Sequence, residues 1–327
     1  MSRGLLLPLG LSVGLLGASV PAAELTIEFD LAETAKVGDR LQLEVTVTNQ
    51  GSEGLVIREP VFDHRSFDFM VRFDEGRESR YTKYHPAAGA PSLLAGQDLE
   101  AGSSATMKHQ VIALKAGRWT FQPIFRGASG GPVEGPARSV QVGKDGEVEE
   151  LLVRFETGAG RIEAVFWPEA APATSLHVAE LVAAGFYDQL TFHRTIPGFM
   201  IQGGCPQGDG TGNPGYTIEA EFNARKHVAG VWSMARSADP YESMGQEPRP
   251  QFANSAGSQF FLCDGDAPFL DGKYTAFGQV VTGLEVVHEI AAAPATEGLD
   301  PSPSVPVEPV VMKRVTLMPR PAVTGGK

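Results

Sequence analysis

The chain has 327 residues, 42% of them hydrophobic and 20% charged; that length suits two domains, and that balance excludes a disordered chain. Its formal net charge of -12 argues against nucleic acid or an anionic membrane surface as the main partner, because both are gripped by fields of lysine and arginine. An acidic surface that keeps the protein soluble is the simpler reading.

Residues 1–23 read MSRGLLLPLGLSVGLLGASVPAA. One arginine precedes a short run of leucine, valine and glycine, and the small residues Ala18, Ser19, Ala22 and Ala23 follow. This is the layout of a secretory signal peptide, and the apolar run is too short and too glycine-rich to span a bilayer comfortably. The expectation is cleavage near Ala22 or Ala23 and a mature protein exported to the periplasm or the extracellular space.

From 24 to 143, short segments alternate between apolar and polar residues: 25–30, 40–49, 67–74, 105–114, 117–125 and 137–142. In LQLEVTVTN, Leu41, Leu43, Val45 and Val47 share one face and Gln42, Glu44, Thr46 and Thr48 the other, the period of a half-buried strand. Turn signals such as NQGSEG (49–54) separate the runs, so an antiparallel β-sandwich is expected. It resembles an immunoglobulin-like module in pattern only, since no Cys–Trp–Cys core is present. FDHRSFDF (62–69) mixes acids with His64 and reads as a solvated strand face rather than a metal or catalytic cluster. The sandwich offers little chemistry of its own, and a spacer or a module for an unidentified partner is as far as its residues lead.

KDGEVEE (144–150) lacks apolar periodicity and reads as a linker to a second domain over 151–320, with 321–327 as a tail. Residues 151–167 read as a hairpin around TGAG. A helix follows, with Pro172 near its start, Gly185 past its end, and Leu176, Val178, Ala179, Leu181 and Val182 on a broad apolar face. A second helix over 284–293 is stopped by Pro294, and 310–317 returns to strand character. Strands dominate, which points to a closed or nearly closed β-barrel with helical caps.

The two cysteines, Cys205 and Cys263, show no disulfide framework, and their pairing stays open. No Cys/His cluster has zinc spacing. QGDGTGNPGYT (207–217) lacks the Gly-Lys-Ser/Thr ending of a phosphate loop. It also fails as a calcium loop started at Asp209, because Pro214 and Ala220 stand where glycine and a bidentate acid are required. A turn is the better account. No metal, nucleotide or other cofactor is called for.

FHRTIPGFMIQGG (192–204) places Arg194 among apolar residues with no carboxylate close by in sequence. A charge in such surroundings needs a partner: either a distant acid neutralises it, or the site awaits a ligand. Four segments in order bear on the choice: FYDQLTFHRTIPGFMIQGG (186–204), GVWSMARS (230–237), NSAGSQFFLC (254–263) and FLDGKYTAFGQVVTGLEVV (269–287). Together they resemble the cyclophilin family of peptidyl-prolyl cis–trans isomerases, over about 150 to 318. The resemblance implies a mainly β fold, a closed eight-stranded antiparallel barrel with two capping helices, beside the N-terminal antiparallel sandwich.

It also implies roles by position. Arg194 matches the family's catalytic arginine and Gln202 its glutamine. Phe199, Met200, Phe261 and Leu270 match pocket residues, Gln259 the glutamine of the SQFF segment, and Ala235 and Arg236 the groove for the residue before proline. Phe269 and Tyr274 stand where many members have tryptophan and histidine, and both keep an aromatic wall. YESMGQEPRPQFA (241–253) is an apparent insertion between groove segments, read as a surface loop, with a substrate-selecting flap as the alternative. The implied activity is isomerisation of X–Pro bonds in proline-containing segments of exported proteins, with Arg194 donating to the prolyl nitrogen of a twisted amide. On this reading Arg194 needs no carboxylate partner. The rival functions are a proline-peptide binder without turnover, and a scaffold protein whose sandwich carries the biology.

Overall fold

The computed structural model describes residues 24–57, 67–82, 97–125 and 132–321. The expected signal peptide 1–23, His64 and nearly all of the expected tail lie outside the described residues. In the N-terminal half, strands Leu25–Asp30, Arg40–Asn49 and Ser104–Ile112 form one antiparallel sheet. A larger sheet runs in the order Thr34–Lys36, Arg138–Gly143, Gly117–Phe125, Phe67–Phe73, Glu78–Tyr81. All its pairings are antiparallel except the first, Thr34–Lys36 with Arg138–Gly143, which is parallel. The alternation in the long strand works as its period requires: Leu41, Leu43, Val45 and Val47 are all buried. Trp119, Phe121, Phe69 and Phe73 fill the core beneath it. Asp68, expected on a solvated face, is buried with Arg80 Nε 3.7 Å from its carboxylate. A buried charge must be paired.

The second half is an eight-stranded antiparallel sheet. Its order is Phe192–Ile196, Met200–Gly203, Phe260–Cys263, Val231–Met234, Ala276–Thr282, Arg161–Phe166, Val148–Thr157, Met312–Pro321. Its curled interior holds Trp232, Phe155, Phe260 and Phe277. The expected hairpin around TGAG is there, with Thr157 N–H donating to Gly160 O at 2.9 Å. The strand Val148–Thr157 begins inside the polar segment 144–150.

The expected closure of the barrel is corrected. The two outer strands meet at one bridge, Thr191–Val311, with Phe192 N–H donating to Val310 O and Met312 N–H to Leu190 O. Beyond it the Arg194-bearing strand leaves the line of the last strand, and Thr195 N–H donates instead to Ser304 O of the loop at 294–306. The backbone donor is satisfied, as burial demands, but by a loop rather than by a closing ladder.

Two helices match expectation, Pro172–Ala183 and Leu284–Ala291. The first is buried on nearly every face, which a helix tolerates only when covered on both sides. The strands Glu78–Tyr81 and Ser104–Ile112 of the N-terminal half cover it, and His109 Nε2 lies 3.0 Å from Glu180 Oε1. No side chain caps this helix from its own N-cap, Ala171. Glu221, far along the chain, accepts from Ala173 N–H and Thr174 N–H at 3.2 and 2.6 Å. The carboxylate meets the positive end of the helix, while burial pushes its pKa up against those hydrogen bonds. One apolar core runs through both halves. Cys205 and Cys263 are both free and buried. Among the described residues, no helix is long and apolar enough to cross a membrane.

Candidate active site

The hairpin Phe192–Ile196/Met200–Gly203 sets Arg194 directly opposite Gln202. Side chains at paired positions share a face, so the guanidinium and the amide meet: Arg194 Nη1 donates to Gln202 Oε1 at 3.0 Å. Gln202 Nε2 then donates to Gln259 Oε1 at 3.0 Å, and Gln259 Nε2 to the carbonyls of Gly210 and Gly212 at 2.8 Å each. This chain of amides accounts for the glycine-rich segment. Gly210 has φ +87° and would put a Cβ 3.5 Å from His193, so the loop folds close enough for its carbonyls to anchor Gln259.

Beside this polar line lies a small apolar cluster, separate from the main core. Met200, Phe261, Leu270, Val231 and Ala276 are buried in it, and Phe199, Ala235 and Tyr274 pack at its edge. Of the residues expected to line a proline pocket, Phe269 alone stands well out, 63% exposed, with its ring 5.3 Å from that of Phe199. Phe261 meets Tyr274 edge-on at 5.9 Å. A cavity of about 200 Å³ adjoins the cluster, lined in part by Gln202, Ala235, Arg236, Gln259 and Gly212.

Arg236 lines that cavity, and its guanidinium is committed to protein partners. Its Nη1 and Nη2 donate to Glu242 at 3.0 and 2.6 Å, its Nε to Lys273 O at 2.9 Å, and its plane stacks 4.3 Å from the Tyr274 ring. The Arg236 guanidinium holds the Glu242 carboxyl below the usual range, against the cost of burial. Glu242 belongs to the insertion, which is built rather than loose. Asp239 caps the turn Pro240–Met244, and Arg249 donates to Asp239 through Nε and Nη2 at 2.8 and 2.9 Å.

Sequence reasoning missed three acids that shape the site. Asp264 accepts Gly198 N–H at 2.6 Å and pairs with His288, fixing the turn that presents Phe199. Asp271 accepts from His227 N–H at 2.8 Å and lies 3.1 Å from His227 Nδ1, while the His227 ring stacks on Phe261 at 6.0 Å. Ser233 Oγ lies 3.1 Å from His227 Nε2, which completes a Ser–His–Asp array. The serine is fully buried and donates its proton to Thr275 O at 2.9 Å, so it is not poised as a nucleophile.

The third acid is Asp300. Arg194 Nε donates to its Oδ2 at 2.8 Å and Nη2 to its Oδ1 at 2.5 Å. The expectation that Arg194 stands without a carboxylate is therefore corrected: the acid comes from a loop 106 positions along the chain. A partly buried cation is costly alone, and a loop residue reached only by folding supplies the charge. The Arg194 hydrogen bonds pull the Asp300 pKa below the ordinary aspartate value, partly offset by burial. Near this cluster, burial pushes the Cys263 thiol up to about 12.

Residues 152–317 match the family model described as Cyclophilin type peptidyl-prolyl cis-trans isomerase/CLD. A peptidyl-prolyl cis-trans isomerase of Synechococcus elongatus is 48% identical over 125 residues, 38% of this chain and 77% of that protein. Peptidyl-prolyl cis-trans isomerase B of Bacillus subtilis is 47% identical over 127 residues, covering 38% and 79%. A Helicobacter pylori peptidyl-prolyl cis-trans isomerase is 35% identical over 159 residues, covering 47% and 89%. A solved Cryptosporidium parvum cyclophilin type isomerase, crystallised in the presence of the dipeptide Ala-Pro, gives a TM-score of 0.44 at 27% identity, over 52% of this chain and 99% of that one. With its ordered segments, its family match and the three bacterial relatives in agreement, the chain belongs to the cyclophilin-type peptidyl-prolyl cis–trans isomerases.

Proposed function

We propose that this isomerase acts on X–Pro bonds in proline-containing segments of exported proteins, with Arg194 as the donor that stabilises the twisted amide. The observation that carries the reading is the placing of Arg194 beside the separate apolar cluster of Met200, Phe261 and Leu270, through the line Arg194–Gln202–Gln259.

Rotation about an X–Pro bond faces a barrier of about 18–20 kcal/mol, because the C–N bond has partial double-bond character. At the twisted transition state that resonance is lost, and the prolyl nitrogen regains a lone pair that accepts a hydrogen bond. A guanidinium aimed at that nitrogen favours the twisted form over the planar one, which is the condition for catalysis. Arginine suits the role because it stays protonated and offers fixed donors. Phe199, Met200, Phe261 and Leu270 hold the proline ring while the preceding carbonyl turns. Ala235 and the cavity it lines take the residues before proline, and Phe269 and Tyr274 supply the outer aromatic wall. Gln202 keeps the guanidinium in line.

The segment 1–23 serves as the export signal on this reading, and the N-terminal sheets form a sandwich module available to a partner. Exchange spectroscopy on an X–Pro peptide, comparing wild type with Arg194→Ala, tests the mechanism. Loss of one aimed donor costs about 2.7–4 kcal/mol, a fall of roughly 10²–10³ in rate, with the fold retained. A near-normal rate in the variant removes Arg194 from its role. A background rate in the wild type instead favours a proline-peptide binder.

A further inference from the structure

The loop that follows helix Leu284–Ala291 does more than connect it to the last strand. Its base is tied by the short pairing of Ala295–Thr296 with Val305–Pro306 and by Val307 N–H donating to Pro294 O. Its far limb is tied to the Arg194-bearing strand, since Ser304 O accepts Thr195 N–H at 2.9 Å. Between these anchors Asp300 is delivered to the guanidinium, where its side chain is 17% exposed and that of Arg194 32%.

An arginine has five N–H groups. Two of those of Arg194 go to Asp300 and one to Gln202; Nη1 also lies 3.9 Å from Met200 Sδ, a weak acceptor. The second N–H of Nη2 has no partner among the described residues. Gln202 holds one nitrogen of the guanidinium and Asp300 the other two, so the plane of the group is set from both sides. A lone glutamine leaves a long side chain free to pivot about a single hydrogen bond, whereas a bidentate carboxylate removes that freedom.

We infer that Asp300 is a positioning residue for the isomerisation: it holds the Arg194 guanidinium in the orientation in which its uncommitted N–H faces the groove. The inference rests on the proposed role of Arg194. Asp300 does not touch the peptide; it acts through the arginine, and the loop at 294–306 is the element that makes it available. The seam left open between the first and last strands is what admits this loop to the site.

The test uses the full chain, an X–Pro peptide and exchange spectroscopy at saturating and subsaturating peptide. Misplacing a catalytic group by about 1 Å costs on the order of 10²-fold in rate. Asp300→Ala is therefore expected to lower the maximal catalysed exchange rate roughly ten- to a hundredfold, while the peptide's dissociation constant changes much less. Asp300→Asn keeps one acceptor oxygen and is expected to fall between Ala and wild type; it also serves as the reading if Ala at this position unsettles the fold. In an Arg194→Ala background, Asp300→Ala is expected to add no further loss, because its route of action is gone. A rate at or above wild type in Asp300→Ala overturns the inference; a rise above wild type shows the acid competing with the peptide for the guanidinium. An equal loss in both backgrounds overturns it as well, since Asp300 then acts by another route. A normal rate in Arg194→Ala alone overturns the role of the arginine itself, a result distinct from either of these.

Discussion

Arg194, on the strand Phe192–Ile196, and Arg236, just after the strand Val231–Met234, each grip a carboxylate with two nitrogens. Both stand beside the groove, yet their exposure differs. Arg236 spends Nε on Lys273 O and a second Nη1 hydrogen bond on Ser237 O, and its side chain is 2% exposed. Arg194 is 32% exposed and keeps an N–H on Nη2 without a partner among the described residues. A carboxylate partner therefore does not decide whether an arginine is structural or functional. What decides is whether the guanidinium is exposed to a space that a ligand can enter: the Arg194 side chain is 32% exposed and that of Arg236 2%. By that criterion Arg236, expected from resemblance to line the groove, lines the cavity while its charge pairs with Glu242 of the insertion.

The largest expected effect separates the two. Arg194→Ala is expected to lose roughly 10²–10³ in exchange rate and less stability than Arg236→Ala, since the Arg194 side chain is 32% exposed. Arg236→Ala is expected to cost stability and little rate, because it removes a side chain that is 2% exposed and leaves Glu242 with the Asp239 N–H alone. A loss of about 1–3 kcal/mol in urea denaturation, with the rate nearly kept, supports the division; a large rate loss at unchanged stability breaks it.

A smaller effect comes from the floor of the pocket. Burial pushes the His227 pKa down, against the pull of Asp271. The folded ring stays neutral at a pH where an unfolded chain already binds a proton. Its contribution to stability is thus complete above the ordinary histidine value of about 6.5 and declines as pH falls below it, at up to about 1.4 kcal/mol per pH unit. His227→Gln is expected to flatten that slope in urea midpoints taken on either side of it. An identical slope in both proteins assigns the dependence to other groups.

The smallest effect tests the insertion. Met244 is 67% exposed on it, so Met244→Ser should shift stability by no more than about 0.5 kcal/mol. If the insertion selects substrates, this variant alters peptide affinity while leaving the melting temperature alone. Unchanged affinity across peptides that vary before the proline leaves the segment as a braced surface loop.

Much of the fold was legible because it is written in short-range periodicity. The alternation of Leu41, Leu43, Val45 and Val47, the hairpin around TGAG, and Pro172 and Gly185 bracketing a helix all act within a few residues. Among the described residues seven short strands, including Thr34–Lys36 and Glu78–Tyr81, are not legible in the sequence. At two to four residues they carry too little alternation to show a period. The site was half legible. Arg194 and Gln202 sit eight positions apart in one hairpin, so their meeting follows from strand geometry.

By itself, then, the sequence determined the family, the hairpin that pairs Arg194 with Gln202, and the apolar residues available to wall a pocket. Those features depend on local geometry and on residue types in order. Tertiary structure alone decided that Glu221 caps the helix Pro172–Ala183, that Asp271 holds His227 beside Phe261, and that Asp300 meets Arg194. Each of these is a carboxylate brought from a distant loop to a group whose own neighbours cannot satisfy it. A buried donor must find an acceptor, but which of 39 acids supplies it depends on where the folded loops run.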